Sequence, residues 1–99
     1  MKKMKPSAAL AANRAEIHRI VHMNHATNAR VFGSVLHGED TENSDLDLLV
    51  DTTPQTSLLD IARIKKRLQS VLGVPVDVLT PNALPEKFRA HVLAEAQAV

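Results

Sequence analysis

The sequence predicts an α+β fold in which a small mixed β-sheet is packed against helices. Segments with apolar residues at helical spacing alternate with short apolar or alternating segments typical of strands. The predicted order is helix, strand, loop, strand, helix, strand, helix, which places a few strands in one sheet with helices covering it. The chain has 99 residues, 44% of them hydrophobic and 23% charged. This length and composition predict one domain over residues 1–99.

The first half of the chain contains one predicted helix and two predicted strands. Residues 1–6 are expected to form a flexible basic arm, and a helix is predicted from Ala8 to about Asn24. A buried strand is predicted over residues 28–32, because a short apolar run there is stopped by Gly-Ser. Residues 38–44 are polar and predict a loop, whose acidic residues Glu39, Asp40 and Glu42 are expected to be solvated.

The second half carries clearer boundary signals. A second strand is predicted over residues 45–50. Ser57 with Asp60 three residues later has the spacing of a capping box, and Gly73 predicts the end of the helix that begins there. A third strand is expected over residues 74–79, and a last helix from 85 through 98.

Composition excludes several classes of function. Twelve Lys and Arg residues oppose 11 acidic ones, for a net charge of +1, and Phe32 and Phe88 are the two aromatic residues. Direct nucleic-acid binding through bulk phosphate attraction or base stacking is therefore not expected. The absence of cysteine excludes disulfides, Cys-ligated zinc and a thiol nucleophile, and fits a cytoplasmic protein. No apolar run approaches the ~18 residues of a membrane span.

Three aspartates form the candidate catalytic site. Residues i and i+2 of a strand point to the same face, so Asp45 and Asp47 present two carboxylates on one side, with their backbones roughly 6–7 Å apart. Two anions at that separation favour a hard cation such as Mg²⁺ between them. Asp77 alternates with two valines and would join the pair if its strand lies beside theirs. Three converging carboxylates predict a two-metal site for phosphoryl or nucleotidyl transfer.

Gly33 and Ser34 are the candidate phosphate-binding residues. Gly33 allows close approach of a ligand to the backbone, and Ser34 offers a hydroxyl and a main-chain N–H. If the chain turns helical after Ser34, its free N–H groups would cradle phosphates. Each feature alone has a plain structural interpretation, a turn or a strand cap, whereas their order and spacing together favour a nucleoside-triphosphate site. His18, His22 and His25 have a zinc-compatible spacing, but a polar helix face is the favoured interpretation.

Gly33-Ser34, ten intervening residues and Asp45-Leu46-Asp47 resemble the signature of the DNA polymerase beta-like nucleotidyltransferase superfamily. The longer segment 31–50 resembles its minimal branch, the MNT proteins, and Asp77 stands where that branch carries its third carboxylate. The resemblance implies a palm-like nucleotidyltransferase fold and Mg²⁺-dependent transfer of AMP from ATP, with pyrophosphate released.

The resemblance also implies the role of each site residue. Asp45 and Asp47 would ligate two Mg²⁺ ions. Asp77 would complete the metal site and orient or deprotonate the acceptor hydroxyl. Gly33 and Ser34 would hold the triphosphate.

Minimal members of this superfamily commonly act with a small helical HEPN protein as a toxin–antitoxin pair. The resemblance therefore implies a HEPN-type toxin as partner, neutralised by adenylylation of one of its tyrosines. The chain departs from the branch at Val35 and His37, where arginines are common. Either His37 partly replaces them in binding the nucleotide, or it is a plain loop histidine. A weakly active or inactive module that neutralises the toxin by binding alone is the alternative function. Transfer to a small molecule such as an aminoglycoside would need an acceptor-binding domain or a dimer, and the oligomeric state stays open.

Overall fold

The computed structural model describes residues 4–99 as four helices, one 3-10 turn and four short strands. In chain order these are α1 (Pro6–Ala12), α2 (Arg14–Met23), β1 (Ala26–Phe32), β2 (Leu46–Thr52), α3 (Leu58–Leu72), β3 (Val76–Leu79), the 3-10 turn (Pro81–Ala83), α4 (Glu86–Glu95) and β4 (Gln97–Ala98). Within residues 4–99, no helix combines the length and the apolar character needed to cross a membrane.

The strands form one mixed sheet in the order β3-β2-β1-β4. Strand β1 is antiparallel to both β2 and β4, whereas β2 and β3 are parallel. The parallel pair is possible because α3 provides the long crossover that two parallel strands need. The predicted fold class, a small mixed sheet packed against helices, is confirmed.

The main core lies between the sheet and the helices α2 and α3. Strand β2 points Leu46, Leu48 and Val50 into it, and all three are fully buried. Helix α3 contributes Ile64 and Leu68 from its apolar stripe. Because side chains alternate along a strand, Asp47 and Leu49, which lie between these three residues, point to the opposite face of the sheet.

Helix α3 begins as its sequence predicts. The Ser57 hydroxyl accepts a hydrogen bond from the Asp60 backbone N–H at 3.2 Å, and the Asp60 carboxylate accepts one from the Ser57 N–H at 2.9 Å. These reciprocal bonds satisfy two N–H groups that the first turn leaves without helical partners. Gly73 follows the last helical residue, which confirms the predicted end of the helix.

The predicted N-terminal helix is divided, and the prediction of one continuous element is wrong. Asn13 separates α1 from α2, and its side-chain amide donates to the Ala9 carbonyl at 2.9 Å. Asparagine competes with the helical backbone in this way and favours a break. Pro6 is the buried first residue of α1, so the predicted flexible arm does not extend to it. Residues 1–3 of that arm lie outside the described residues.

The predicted C-terminal helix is too long. Helix α4 ends at Glu95, and the chain then extends into β4 beside β1. The Val99 N–H donates to the Ala29 carbonyl at 3.0 Å, and a ring nitrogen of His18 lies 2.5 Å from the Val99 carbonyl oxygen. The Val99 N–H thus satisfies a carbonyl of β1, and His18 satisfies the Val99 carbonyl. Helix propensity depends on neighbouring residues in the chain, so it does not account for contacts between such distant positions.

Candidate active site

The parallel pairing of β2 and β3 places two of the candidate aspartates side by side. Asp47 and Asp77 are direct partners in the register of the two strands. In β3 the valines on either side of Asp77 are buried whereas Asp77 is exposed, so it points to the same open face of the sheet as Asp47. Asp45 lies two residues before Asp47, just outside the start of β2. The sheet therefore gathers the three residues at one end of two adjacent strands.

The electrostatics of Asp47 reflect this gathering. Burial raises the pKa of the Asp47 carboxyl to about 6, and the negative charges of Asp77 and Asp45 add to the increase. Both effects disfavour the ionised carboxylate, the first through lost hydration and the second through repulsion. The three carboxylates are thus close enough to interact, and within residues 4–99 no Lys, Arg or His forms an ion pair with Asp47.

Asp77 is partly exposed although buried valines flank it. Its side chain is 51% exposed. Among residues 4–99, the nearest cation is the Lys65 ammonium of α3, 3.9 Å from an Asp77 carboxylate oxygen. β3 is an edge strand, so its outward side chains are covered on one side at most.

The donor set at this end of the sheet consists of carboxylate oxygens, which suit a hard divalent cation. Among residues 4–99, no group of three or more His, Asp or Glu side chains is arranged so that it could hold a metal ion. Metal binding by Asp45, Asp47 and Asp77 therefore stays a prediction, and an ion at this end of the sheet would need other oxygen donors as well.

Gly33 lies directly against the carboxylate of Asp47. Its φ of +75° is in the left-handed region that favours glycine. A Cβ atom at this position would lie 2.4 Å from an Asp47 carboxylate oxygen and 3.2 Å from its carboxyl carbon. Glycine is therefore required here by both the backbone conformation and the space that Asp47 occupies, and the Gly-Ser segment belongs to the same site as the aspartates.

The chain after Gly33 forms a compact turn and no regular helix, so the helical continuation considered for this segment is not present. The His37 N–H donates to the Gly33 carbonyl at 3.2 Å, and the Glu39 N–H donates to the Ser34 carbonyl at 2.9 Å. Among the described residues, no protein acceptor is found for the N–H groups of Ser34, Val35 and Leu36. Consecutive free N–H groups at a turn are suited to binding an anion.

Comparison with known proteins assigns this arrangement to a family. The nucleotidyltransferase domain family matches residues 15–99, which include the Gly-Ser turn and all three aspartates. The chain belongs to the nucleotidyltransferase domain family. It is an enzyme of the nucleotidyltransferase class, and its resemblance to the minimal branch is confirmed by the relatives described next.

Two sequence relatives are archaeal. A candidate protein adenylyltransferase of Methanocaldococcus jannaschii is 44% identical over 68 residues, covering 69% of this chain and 73% of the relative. The protein adenylyltransferase MntA of Thermococcus cleftensis is 38% identical over 65 residues, covering 66% of each chain.

Solved structures agree in fold. A candidate minimal nucleotidyltransferase, 39% identical, superposes with a TM-score of 0.86 over the full length of both chains. A toxin–antitoxin crystal structure with AMP-PNP is 20% identical and has a TM-score of 0.73, covering 87% of this chain and 71% of the other. A complex of a tri-AMPylated Shewanella oneidensis HEPN toxin with its MNT antitoxin is 17% identical and has a TM-score of 0.66, covering 89% and 69%. The last two show likeness of fold.

His37 of this nucleotidyltransferase is held by the C-terminal helix. Its Nε2 lies 2.9 Å from a carboxylate oxygen of Glu95, whose second oxygen lies 3.3 Å from Nε2 of His91. Val35 is partly buried and packs against the hydrophobic core. Neither of the two positions where arginines are common in the minimal branch therefore presents an unengaged cation to the Gly-Ser turn. The role of His37 in nucleotide binding stays a prediction.

Asp40 anchors the loop that connects the Gly-Ser turn to β2, and the expectation that it is solvated is wrong. Asp40 is 8% exposed, and its carboxylate accepts a hydrogen bond from the Ser7 backbone N–H at 2.8 Å. Burial opposes ionisation of Asp40, but the bonds from Ser7 prevail and hold its pKa below the usual value. The sequence contains no signal for this contact, because its partners are separated by 33 positions.

Asp51 and two of the three N-terminal histidines have structural partners. Asp51 accepts hydrogen bonds from Arg30 at 2.5 Å and from Asn28 at 2.8 Å, so it is paired and separate from the candidate site. His25 follows the end of α2 and contacts Asp60 at 3.3 Å, whereas His18 contacts Val99. The histidines of the zinc-compatible spacing do not converge with a third ligand within residues 4–99.

Proposed function

We propose that this nucleotidyltransferase transfers AMP from ATP to a protein hydroxyl, with a tyrosine of a HEPN-type toxin as the acceptor, and thereby acts as an antitoxin in the cytoplasm. The observation that carries the proposal is that Asp45, Asp47 and Asp77 are gathered at one end of the sheet and that Asp47 lies against Gly33. It supports the proposal because carboxylates that could bind a metal then lie beside a turn with free N–H groups, as a nucleoside triphosphate requires.

Each side chain has a distinct proposed role. Asp45 and Asp47 would hold Mg²⁺, and the raised pKa of Asp47 supports this, because a cation would relieve the repulsion among the three carboxylates. Bound Mg²⁺ would supply positive charge to the phosphate oxygens of ATP. Asp77, on the exposed edge of the trio, would orient the acceptor hydroxyl and accept its proton. The N–H groups of the Gly-Ser turn would hold the triphosphate.

The named relatives support the acceptor class. One archaeal relative is named a protein adenylyltransferase, and one fold neighbour is the antitoxin of an AMPylated HEPN toxin. The acceptor oxygen would attack the α-phosphorus of ATP, the bond to the β-phosphate oxygen would break, and pyrophosphate would leave. The hydroxyl proton would pass to Asp77, which faces solvent and can release it.

The direct experiment incubates the protein with α-labelled ATP, Mg²⁺ and a candidate HEPN-type toxin from the same organism. We expect label on the toxin with the wild-type protein and at least a 100-fold lower rate with Asp45→Asn/Asp47→Asn. Asp51→Asn is the matched control, because Asp51 lies on the same strand but is paired with Arg30, and it should retain transfer. Equal labelling by wild type and the double variant would contradict the proposal.

Binding without transfer is the second candidate function. It is favoured by the absence of arginine at Val35 and His37, and by the engagement of His37 with Glu95, which together leave few cations for the triphosphate. Under this alternative the toxin would be inhibited without label, and Asp45→Asn/Asp47→Asn would inhibit it as well as the wild-type protein does.

A further inference from the structure

The near-neutral net charge of the chain hides a strongly uneven distribution. Residues 33–52, which contain the Gly-Ser turn, the loop and β2, carry six acidic residues and no Lys or Arg. Helices α2 and α3 carry six Lys or Arg residues and two acidic ones; one of the six, Lys65, reaches Asp77 at the candidate site, and the other five do not. These helices cover the sheet face opposite to the candidate active site, since the core leucines of β2 point toward them and Asp47 points away. The molecule therefore has an acidic catalytic face and a basic helical face.

A groove of about 460 Å³ runs between α2 and α3 on the basic face. Its volume lies within the roughly 300–1,000 Å³ typical of ligand-binding clefts. Its lining includes four cationic side chains, Arg19, Arg63, Lys66 and Arg67, and two apolar side chains, Ile20 and Met23. No acidic residue lines it. We call this feature the α2–α3 groove.

The charges of the groove are only partly neutralised. Arg19 pairs with Glu16, and Arg63 lies 3.6 Å from Asp60. Among residues 4–99, no carboxylate lies within 4.0 Å of the charged groups of Lys66 and Arg67. Lys66 and Arg67 therefore make no direct ion pair in this part of the chain and can contact an external anion, although Arg67 is near enough to Glu16 to contribute to the lowered pKa of that carboxyl, after the larger effect of Arg19.

The apolar part of the groove is also available. Met23 is 59% exposed, and its sulfur lies 2.9 Å from Arg19 Nη1, which holds the thioether at the groove. An exposed, flexible methionine beside cations suits an amphipathic partner, because the thioether adapts to the shape of an apolar side chain. A nucleic-acid backbone would leave this apolar part without a partner, and neither α2 nor α3 carries an aromatic residue for base stacking.

We propose that the α2–α3 groove docks an acidic, amphipathic segment of the protein partner, with carboxylates facing Lys66 and Arg67 and an apolar side chain against Met23. The inference rests on the proposed function for the identity of that partner, the HEPN-type toxin. It adds that the toxin is held on α2 and α3 and extends around the β3 edge, where Lys65 of α3 reaches Asp77, so that docking and AMP transfer use separate surfaces of the same domain.

The test measures the affinity of the full chain for the toxin by isothermal titration calorimetry at low and high NaCl. Lys66→Glu/Arg67→Glu should weaken binding at least tenfold and reduce its salt dependence, because it reverses two groove charges. Arg14→Glu/Lys87→Glu is the matched control: it makes the same change in net charge with exposed residues outside the groove, and it should change the affinity less than threefold. Met23→Gln should weaken binding by a smaller factor without changing the salt dependence.

The outcomes separate this inference from the proposed function. If the wild-type protein does not bind the toxin, the proposed partner is wrong and the inference falls with it. If the wild-type protein binds and Lys66→Glu/Arg67→Glu binds equally well, the docking surface is wrong while the proposed function stands. A variant that keeps its affinity for the toxin but loses binding to a labelled single-stranded RNA oligonucleotide would assign the groove to nucleic acid and overturn the proposal. Unchanged ATP binding by the groove variants, followed with a fluorescent ATP analogue, would support the separation of the two surfaces.

Discussion

Replacement of Asp47 by asparagine should stabilise the metal-free protein at neutral pH, although it removes a side chain that we propose to be essential for transfer. The pKa of Asp47 is about 6 in the folded protein, above its ordinary value of 3.8. Between these two values the folded state binds more protons than the unfolded state. The free energy of unfolding therefore decreases as the pH rises from about 4 to 6 and stays lower above that range. Asparagine cannot ionise and removes this penalty.

The size of the effect follows from the pKa difference. The increase from 3.8 to about 6 corresponds to a ceiling of about 3 kcal/mol, at roughly 1.4 kcal/mol for each pKa unit. Asp47 is only partly buried, and solvent screening reduces the interaction to about 1–2 kcal/mol. For a domain of this size, that free energy corresponds to an increase in Tm of roughly 5–10 °C.

The assay is thermal unfolding in EDTA at a series of pH values from 4.5 to 7.5, for the wild-type protein, Asp47→Asn and Asp51→Asn. Asp47→Asn should have the higher Tm at pH 7.5, and its advantage should shrink toward pH 4.5. Added Mg²⁺ should raise the Tm of the wild-type protein more than that of Asp47→Asn. Asp51→Asn, on the same strand, should lower the Tm, because it weakens the ion pair with Arg30. A Tm of Asp47→Asn equal to or below that of the wild type at pH 7.5 in EDTA would refute the reasoning.

Three further predictions concern the turn and the loop around the site. Gly33→Ala should reduce transfer at least 100-fold and destabilise the fold by about 2 kcal/mol or more. The control Gly38→Ala, where φ is +69° and no atom lies within 4 Å of the added Cβ, should cost only about 1–2 kcal/mol and keep activity. Equal losses for the two variants in urea unfolding and transfer assays would contradict the close approach of Gly33 to Asp47. Asp40→Ala should destabilise the protein by about 1–3 kcal/mol in urea unfolding, because it leaves the Ser7 N–H of α1 without its buried acceptor. Because the pKa of Asp40 is lowered in the folded protein, the stability that Asp40 contributes is lost only as the pH falls through that lowered pKa. Glu95→Gln should tighten ATP binding several-fold, because it removes a negative charge 2.9 Å from His37; calorimetry with ATP and Mg²⁺ would reveal weaker or unchanged binding if His37 has no contact with the nucleotide.

The parts of the fold that the sequence predicted depend on neighbours in the chain. Ser57 and Asp60 are three residues apart, and their capping box forms as predicted. The second strand, predicted over residues 45–50, forms over Leu46–Thr52, and the leucines on either side of Asp47 are buried. The sequence did not predict the division of the first helix at Asn13. The Asn13 side chain bonds to the Ala9 carbonyl in competition with the helical backbone, and an asparagine can occupy either a continuous helix or a break.

The features that escaped prediction depend on contacts between distant positions. In the sequence, Asp40 resembles any exposed loop residue. Only the fold brings the Ser7 N–H of α1 to it as a hydrogen-bond donor. His37 reads as an unengaged loop residue until α4 brings Glu95 to it. The basic groove likewise needs α2 and α3 side by side, since each helix alone presents an ordinary solvated face.

By itself, the sequence determined the fold class, the family and the identity of the three aspartates and the Gly-Ser pair, because these are carried by spacing within short segments. Only the tertiary structure decided that Asp77 stands in register with Asp47, that Gly33 touches the carboxylate of Asp47, and that the pKa of Asp47 is raised. Strand register and electrostatic interaction depend on distances in space. In this chain the interacting residues belong to segments that lie more than ten residues apart in the sequence.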